Sequence, residues 1–285
     1  MAGSSFAQNI VLTQEEIELL PYQGIFQSQI RQNSIERKRT ALLELRNFRS
    51  PAASRIAAEA LKDSSEIVRA TAAASVVFLP KDEAAQNLVP LLADKKPLVR
   101  REAAYALGVV GSENTINPLF QVLQKDKIAE VRNAAVVALG QIGNVAAVAE
   151  LIKILQRKPQ EKEEFTRRSA ARSIGQIAQI LQTGEIKVIT PENFLPDSLK
   201  SIEVPQYPKL AEQFPPFLPA INALITSLQN PQEFQDVKRE AAFALGAIGD
   251  DSAVRVLQTN LNSADYYLAE ICRESLQKIA LASNR

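Results

Sequence analysis

The chain has 285 residues, and its 33 lysines and arginines nearly balance its 32 aspartates and glutamates. This balance gives no electrostatic reason to expect a nucleic acid or an anionic membrane as a partner. The single cysteine, Cys272, excludes an intrachain disulfide. The absence of histidine excludes Ser-His-Asp and Cys-His catalytic arrangements and Cys/His zinc sites. We therefore expect no catalytic, cofactor-binding or metal-binding residue, and no cofactor.

The first part of the chain, residues 1–33, is predicted to be an N-terminal cap with one or two helices within residues 13–33. Its start lacks the basic segment and the long apolar core of a signal peptide. No stretch of the chain approaches the 18 uninterrupted apolar residues of a membrane-spanning helix. These features predict a cytoplasmic protein that has no membrane partner.

A repeated phrase dominates the rest of the chain. It reads VRREAAYALGVVG at 99–111, VRNAAVVALGQIG at 131–143, TRRSAARSIGQIA at 166–178 and VKREAAFALGAIG at 237–249, with looser copies from Arg37, Val68 and Leu268. The basic second residue recurs at intervals of 31, 31, 32, 35 and 71. A unit of this length with two helical patterns cannot bury its apolar face without a neighbour. The repeat predicts an all-α fold: an α-solenoid, wound as a right-handed superhelix of antiparallel helix pairs.

The alignment divides residues 34–285 into helix-pair units. They span residues 34–63, 64–95, 96–127, 128–160, 161–230 and 231–263, and a last helix follows at 266–281. Because each end of such an array has only one neighbour, we expect a polar cap at both ends.

An aspartate precedes the basic residue of the phrase by six positions in three units, as in Asp63 and Arg69, or Asp94 and Arg100. A ladder of arginines could bind a ligand, but the pairs recur with the repeat and do not cluster at one place. We interpret them as ties between the inter-repeat turn and the following helix. Cys272 falls in a column of alanines, which predicts a small buried thiol.

The long interval of 71 marks an insertion, residues 183–215, inside the fifth unit. It is rich in proline, which opposes regular helix, and it is too apolar for a plain linker. Insertions on one face of a solenoid are frequent recognition elements. The alternatives are packing against the solenoid and disorder. If the segment binds a partner, Phe194, Tyr207 and Phe214 are the expected anchors.

Arginines on the helix before the insertion are the other predicted partner-binding residues, Arg168 and Arg172. Arg172 occupies a column that is apolar or aromatic in the other units. A charge at such a position either reaches solvent or pairs with an acid that the other units lack. The acids of the insertion, Glu192, Asp197 and Glu203, are candidates for that pair.

The phrase VRxxAAxALGxIG, followed by a helix of the form AxxxLxxxL, resembles HEAT repeats, and specifically the short form of phycobilisome-lyase-like proteins. The likeness covers the chain outside the N-terminus and residues 183–215. It implies a cyanobacterial protein of one of two kinds. One kind is a HEAT-repeat protein that associates with an A-type iron–sulfur carrier, which TRRSAARSIGQIAQIL and YYLAEICRESLQKI favour. The other is the E/F-type bilin lyase, which handles phycobiliprotein chromophores.

Two functions are therefore open. The first is a non-enzymatic protein-binding scaffold, an accessory partner of an iron–sulfur carrier. The alternative is a phycobilin lyase or isomerase, whose partner would be related to phycobiliproteins. The absence of histidine, and the lack of a patch of ionisable residues that depart together from the repeat, favour the scaffold. One cysteine and no imidazole cannot supply the ligands of a cluster, so the resemblance implies an accessory partner and not a cluster holder.

Overall fold

A computed structural model describes residues 14–184 and 209–283. In these residues the chain forms fifteen α-helices and no strand. They are α1 Gln14–Arg31, α2 Ile35–Asn47, α3 Pro51–Ala58, α4 Glu66–Ser75, α5 Lys81–Leu88, α6 Pro97–Val110, α7 Ile116–Lys125, α8 Ala129–Ile142, α9 Val148–Leu155, α10 Glu161–Thr183, α11 Leu210–Gln213, α12 Phe217–Gln229, α13 Gln235–Ile248, α14 Val254–Thr259 and α15 Tyr266–Ser283. The predicted all-α solenoid of helix pairs is confirmed.

The repeated phrase forms the first helix of each pair. These first helices are α2, α4, α6, α8, α10 and α13, and α15 is the final helix. The second helices are α3, α5, α7, α9, α12 and α14, and short 3-10 turns extend several of them. The chain divides into two compact units, one up to Ala106 and one from Leu107.

In the first unit, α1 packs on α2 and α3. It buries Leu19, Phe26 and Ile30, and the ring of Phe26 meets that of Phe48 edge-on with centroids 5.9 Å apart. Serine side chains cap the next two helices, since Ser34 and Ser50 each accept a hydrogen bond from a backbone N–H of the first turn. The buried apolar side chains of α1 thus hold this helix on the first helix pair, α2 and α3.

As predicted, the repeated basic residues tie the turns between helix pairs to the following helix. They do so by binding the backbone carbonyl of the preceding aspartate and not its carboxylate. Arg69 donates to the backbone carbonyl of Asp63, six residues earlier, at 2.7 Å. Its other nitrogens reach the carboxylate of Asp94, 25 residues later, at 2.8 and 3.0 Å. Lys38 pairs with Asp63 over the same interval of 25. Burial raises the pKa of the Asp94 carboxyl, but hydrogen bonds from Arg69 and the Lys96 N–H bring it below its usual range.

In the second unit, first helices stack closely on one another through small residues. A Cβ atom at Gly140 would lie 2.4 Å from the hydroxyl of Ser173 on the next first helix, and one at Gly246 would lie 2.3 Å from that of Ser275. Both hydroxyls donate to a backbone carbonyl of the neighbouring helix. Ser173 donates to Val136 at 3.0 Å, and Ser275 donates to Ala242 at 2.9 Å. The glycines of the phrase therefore make room for the next repeat.

At the start of the predicted insertion, α10 continues to Thr183 and ends at Gly184 in the left-handed region, with φ 78°. Residues 185–208 lie outside the described residues, and the chain is described again from Lys209, directly before α11. Within the described ranges, no helix combines the length and the apolarity needed to cross a bilayer.

Leu139→Asp tests the register of the repeat. Leu139 is fully buried in α8, so the change removes apolar burial and places an unpaired carboxylate in the core. We expect a loss of about 5 kcal/mol of unfolding free energy and a thermal midpoint lower by more than about 10 °C. Leu218→Asp, at a half-exposed position of α12, is the control and should shift the midpoint by less than about 3 °C. Equal midpoints for the two variants would show that the register is wrong.

Candidate functional site

Two of the predicted partner-binding residues lie together. Arg168 and Arg172 stand one turn apart on α10, and both reach α13 of the next helix pair. Arg168 Nη1 donates to Asp236 Oδ2 at 3.1 Å, and Arg172 Nη2 lies 2.9 Å from Glu240 Oε1. Glu192, Asp197 and Glu203, the acids of the insertion suggested as partners of Arg172, lie outside the described residues, so that pairing stays a prediction. Among the described residues, Arg172 pairs with Glu240. Its partner is on α13 because α10 packs directly on that helix.

Of the three aromatic anchors predicted in the insertion, Phe214 lies in the described part of the chain. Phe194 and Tyr207 lie outside the described residues. Phe214 is half-buried at the turn between α11 and α12, where its N–H donates to the carbonyl of Leu210 at 2.8 Å. It thus stands beside the second helix of its pair, whereas Arg168 and Arg172 stand on the first.

Exposed aromatic rings extend the arginine pair along the surface. The Phe165 ring lies under Arg168, with 4.9 Å between the guanidinium carbon and the ring centroid. Arg239 donates to Asp236 at 2.9 Å, pairs with Asp265 at 2.9 Å, and lies 5.4 Å from the centroid of Tyr267. We call this continuous surface the arginine–aromatic face. It consists of Phe165, Arg168, Arg172, Asp236, Arg239, Glu240, Asp265, Tyr266 and Tyr267.

The charged side chains of the face differ in their exposure to solvent. The side chains of Arg168, Arg172 and Arg239 are 34%, 44% and 35% exposed. Those of Glu240 and Asp265 are only 8% and 9% exposed, although Asp236 is as open as the arginines. Glu240 and Asp265 therefore hold guanidinium groups from beneath, whereas Asp236 lies level with them. An approaching partner meets positively charged planes and aromatic rings.

Glu240 is a buried carboxylate of the face that is only partly compensated. Burial raises the pKa of its carboxyl, and the charge of Arg172 only partly opposes the rise. One carboxylate oxygen binds Arg172, while Oε2 is buried and accepts no hydrogen bond. The Glu240 side chain therefore depends on Arg172 for its compensation, and in return it fixes the direction of the Arg172 side chain.

A buried ion pair anchors the face from behind. Arg167, next to Arg168 on α10, is fully buried and forms a bidentate ion pair with the equally buried Glu233. It also donates to the backbone carbonyls of Leu155, at 2.7 Å, and Arg157. The pair lines one wall of an open cleft of about 600 Å³, together with Asn222 and other residues of α12. Its contacts are internal, so its role is to hold α10 in place.

Sequence reasoning missed several of these residues. Glu233 stands outside the repeated phrase, and Tyr266 and Tyr267 precede the worn last copy. Glu240 belongs to the phrase, but nothing in the sequence showed that it would meet Arg172. The signal that could have found it is spacing, because Asp236 and Glu240 are four residues apart, as are Arg168 and Arg172.

The chemistry open to the described residues is limited. Cys272 is fully buried, and burial raises the pKa of its thiol to about 12, so the reactive thiolate is not formed near neutral pH. Across residues 14–184 and 209–283, no group of three or more Cys, Asp or Glu side chains is placed to hold a metal ion. The arrangement is suited to binding through charge and aromatic contact.

Comparison with known protein families gives two matches. The HEAT repeats match residues 26–108 and 86–175. The PBS lyase HEAT-like repeat matches residues 237–263, a stretch that contains Arg239 and Glu240.

Individual proteins are similar over part or all of the chain. Deoxyhypusine hydroxylase-B of Oryza sativa subsp. japonica is 38% identical over 92 residues, which are 32% of this chain and 30% of that protein. The chain thus matches less than a third of the length of that relative. An engineered protein of known structure has a TM-score of 0.51 at 19% identity, covering 90% of this chain and 68% of its own. The complex of CpcE and CpcF of phycocyanin lyase from Nostoc sp. PCC7120 has a TM-score of 0.48 at 18% identity, covering 100% and 97%. At these identities, the engineered protein shows a shared fold alone.

Glu233→Gln tests the anchor behind the face. The change keeps the shape of the side chain but leaves the buried Arg167 without its countercharge, so we expect a loss of about 3 kcal/mol of unfolding free energy. Chemical denaturation monitored by circular dichroism measures it. Glu150→Gln removes the acid of a surface pair with Lys153 and should cost less than about 1 kcal/mol. If the two losses are equal, the buried pair does not hold α10.

Proposed function

We propose that this chain, which belongs to the HEAT-repeat family, is a non-enzymatic scaffold that binds a protein partner through its arginine–aromatic face. The family is established by the match of the HEAT repeats to residues 26–108 and 86–175, more than half of the chain. The observation that carries the proposal is the row of outward guanidinium groups and exposed rings on α10, α13 and α15.

The composition of the face favours a protein as its ligand. Arginine, tyrosine and phenylalanine are enriched at protein–protein interfaces, and tyrosine and arginine also at the few positions that dominate binding energy. Here the guanidinium groups are already held by Asp236, Glu240 and Asp265. Less side-chain freedom is then lost on binding, which favours affinity.

The identity of the partner follows the resemblance found in the sequence. We propose an accessory role beside an A-type iron–sulfur carrier in a cyanobacterial cytoplasm, with the partner keeping the cluster. The near-neutral charge argues against nucleic acid. The lone buried cysteine and the absence of histidine argue against a cluster held by this chain alone.

The insertion at residues 183–215 is proposed as a second contact with the same partner. It joins α10, which carries Arg168 and Arg172, to the helix after Phe214. We propose Phe194, Tyr207 and Phe214 as its anchors, since aromatic side chains contribute much of the binding energy when an interface buries them.

One experiment tests the face and the insertion together. Tagged wild-type chain, a Phe165→Ala/Tyr267→Ala double variant and a variant with residues 183–215 replaced by a short Gly/Ser bridge would each be used to purify partners from the native cell. A purified A-type iron–sulfur carrier would serve as the defined probe. Removing two interface aromatics should reduce partner recovery about tenfold or more, and the deletion should do the same.

The control is a Leu218→Ala/Val109→Ala variant, which trims two side chains at least half exposed that lie outside the face. It should recover as much partner as the wild type. Melting curves of the substitution variants should agree with the wild type within about 3 °C, because they change exposed side chains. The deletion variant should stay folded, because solenoid stability is a sum of local terms, with a lower midpoint because it also removes the buried Leu210 and Ala211 of α11. Full recovery by the aromatic double variant would contradict the face. A destabilised deletion variant that still captures the partner would contradict the role of the insertion.

A second candidate function is phycobilin handling, as a lyase or isomerase. It is supported by the match of the PBS lyase HEAT-like repeat to residues 237–263, which supply Arg239 and Glu240 of the face. Arginines can pair with the carboxylates of a bilin, and exposed rings can stack on its pyrroles.

Mixing the purified chain with free bilin separates the two functions. If the chain handles chromophores, the visible absorption band of the bilin should shift to the red and sharpen, and the Phe165→Ala/Tyr267→Ala variant should weaken the shift. An unchanged spectrum at about 100 µM chain would count against this function. The Leu218→Ala/Val109→Ala variant again serves as the control.

A further inference from the structure

Basic residues of the repeat pair with acids in the turns between helix pairs. Lys38 binds the carboxylate of Asp63, and Arg69 binds that of Asp94, in both cases 25 residues later in the chain. The four side chains are between 8% and 13% exposed, so each pair is largely removed from water. A turn of this kind therefore supplies a carboxylate to the basic residue of the preceding helix pair.

The turn between α9 and α10 carries a base at the place of that carboxylate. Arg157 lies 25 residues after Arg132, the same interval that separates the members of the pairs above. The backbone supports this equivalence. The Arg157 carbonyl accepts a hydrogen bond from Arg167, and the Asp63 carbonyl accepts the equivalent bond from Arg69. An arginine thus replaces the acid of the repeat at this turn.

The replacement leaves Arg132 without a carboxylate. Arg132 is half-buried, and its Nη1 donates to the carbonyl of Asp126 at 2.9 Å. Over residues 14–184 and 209–283, no acidic side chain pairs with it. Arg157 itself pairs with Glu163 at 3.2 Å and is 48% exposed. A guanidinium group has five N–H donors, so Arg132 keeps donors for an anion at the place where the repeat has an aspartate.

An open cleft begins at the same turn. Its volume of about 600 Å³ is in the range of ligand-binding clefts. Arg157 and Lys158 line it from the turn, and Asn222 and Asn230 line it from α12. The two asparagines are about 12 Å apart along the helix axis, and an amide side chain can pair with both the N–H and the C=O of a peptide backbone. The cleft therefore combines positive charge with groups that bind a peptide main chain.

We propose that this turn and its cleft bind an acidic segment of a protein partner, and that a carboxylate of the segment pairs with Arg132. The group that the repeat lacks here is an aspartate side chain, so a carboxylate suits the position in both shape and charge. The charges of Arg132 and Lys158, which no acid in the described ranges neutralises, favour an acidic ligand over a neutral one. The site shares no residue with the arginine–aromatic face, so this inference does not rest on the proposed function.

Calorimetric titration of the full chain with a short blocked peptide of glycine, serine and aspartate tests the site. The same peptide with asparagine in place of aspartate should bind about tenfold more weakly or less. Arg132→Gln should lower the affinity for the aspartate peptide about tenfold or more, because a charge-assisted pair is lost. Arg255→Gln, at an exposed position of α14, makes the same change in net charge and should bind as the wild type does.

Arg157→Asp gives the sharper result. It restores the carboxylate of the repeat beside Arg132, so the chain supplies its own ligand, and the affinity for the peptide should fall about tenfold or more. The restored pair should also raise the thermal midpoint. The change caused by Arg157→Asp should be more positive by about 2 °C or more in the wild type than in an Arg132→Gln background, and this cycle cancels the loss of the pair with Glu163. Arg255→Asp reverses an equal charge and should alter neither measurement.

Three outcomes would overturn the proposal. The first is no binding of the aspartate peptide at about 1 mM. The second is a peptide affinity that Arg157→Asp leaves unchanged. The third is equal binding of acetate or inorganic phosphate at the same concentration, which would assign Arg132 to a free anion and not to a peptide.

Discussion

The close approach of successive first helices is the constraint on which the second unit depends. Gly140 lies against Ser173 and Gly246 against Ser275, at distances that no larger side chain would allow. Each serine hydroxyl then donates to a carbonyl of the helix that it touches. A helical glycine costs about 1 kcal/mol relative to alanine. The packing and the hydrogen bond that it permits offset that cost once per repeat.

The same stacking produces the arginine–aromatic face. When first helices lie side by side in a common register, residues at equivalent places in the phrase become neighbours across repeats. Arg168 and Arg239 hold the same place in the phrase, and each reaches an acid just before the next copy of the phrase, Asp236 and Asp265 respectively. A row of charges on one surface is a direct geometric result of repetition, and selection can then alter individual positions, as at Arg172. The aromatic side chains at the helix starts fill the space between the charged pairs.

The repeats also determine which features of the structure could be predicted from the sequence. The helix pairs, their order and the buried column of Cys272 followed from one aligned phrase, because the residue types at each position face the same neighbours in every copy. The partner of Arg172 did not follow, because the interval to α13 contains an insertion that has no counterpart in the other units. Glu233 lies in a turn between phrases, where no alignment applies. The N-terminal cap was expected to be polar, but α1 also exposes apolar side chains such as Ile17 and Ile25. This helix has no aligned copy in the sequence, so the sequence does not show which of its sides packs on the rest of the chain.

The ion pair between Arg167 and Glu233 closes a loop of 66 residues that contains the insertion. For a flexible loop, the entropic cost of closure rises with the logarithm of its length, by about 0.6 kcal/mol for each doubling. Because this pair and the direct packing of α10 on α13 join the two helices, the length of the chain between them has little influence on the stack. Residues could be added to or removed from the middle of this loop at small cost in stability. The stretch between α10 and α12 is therefore a place where such a chain can gain or lose residues while its repeats stay in register.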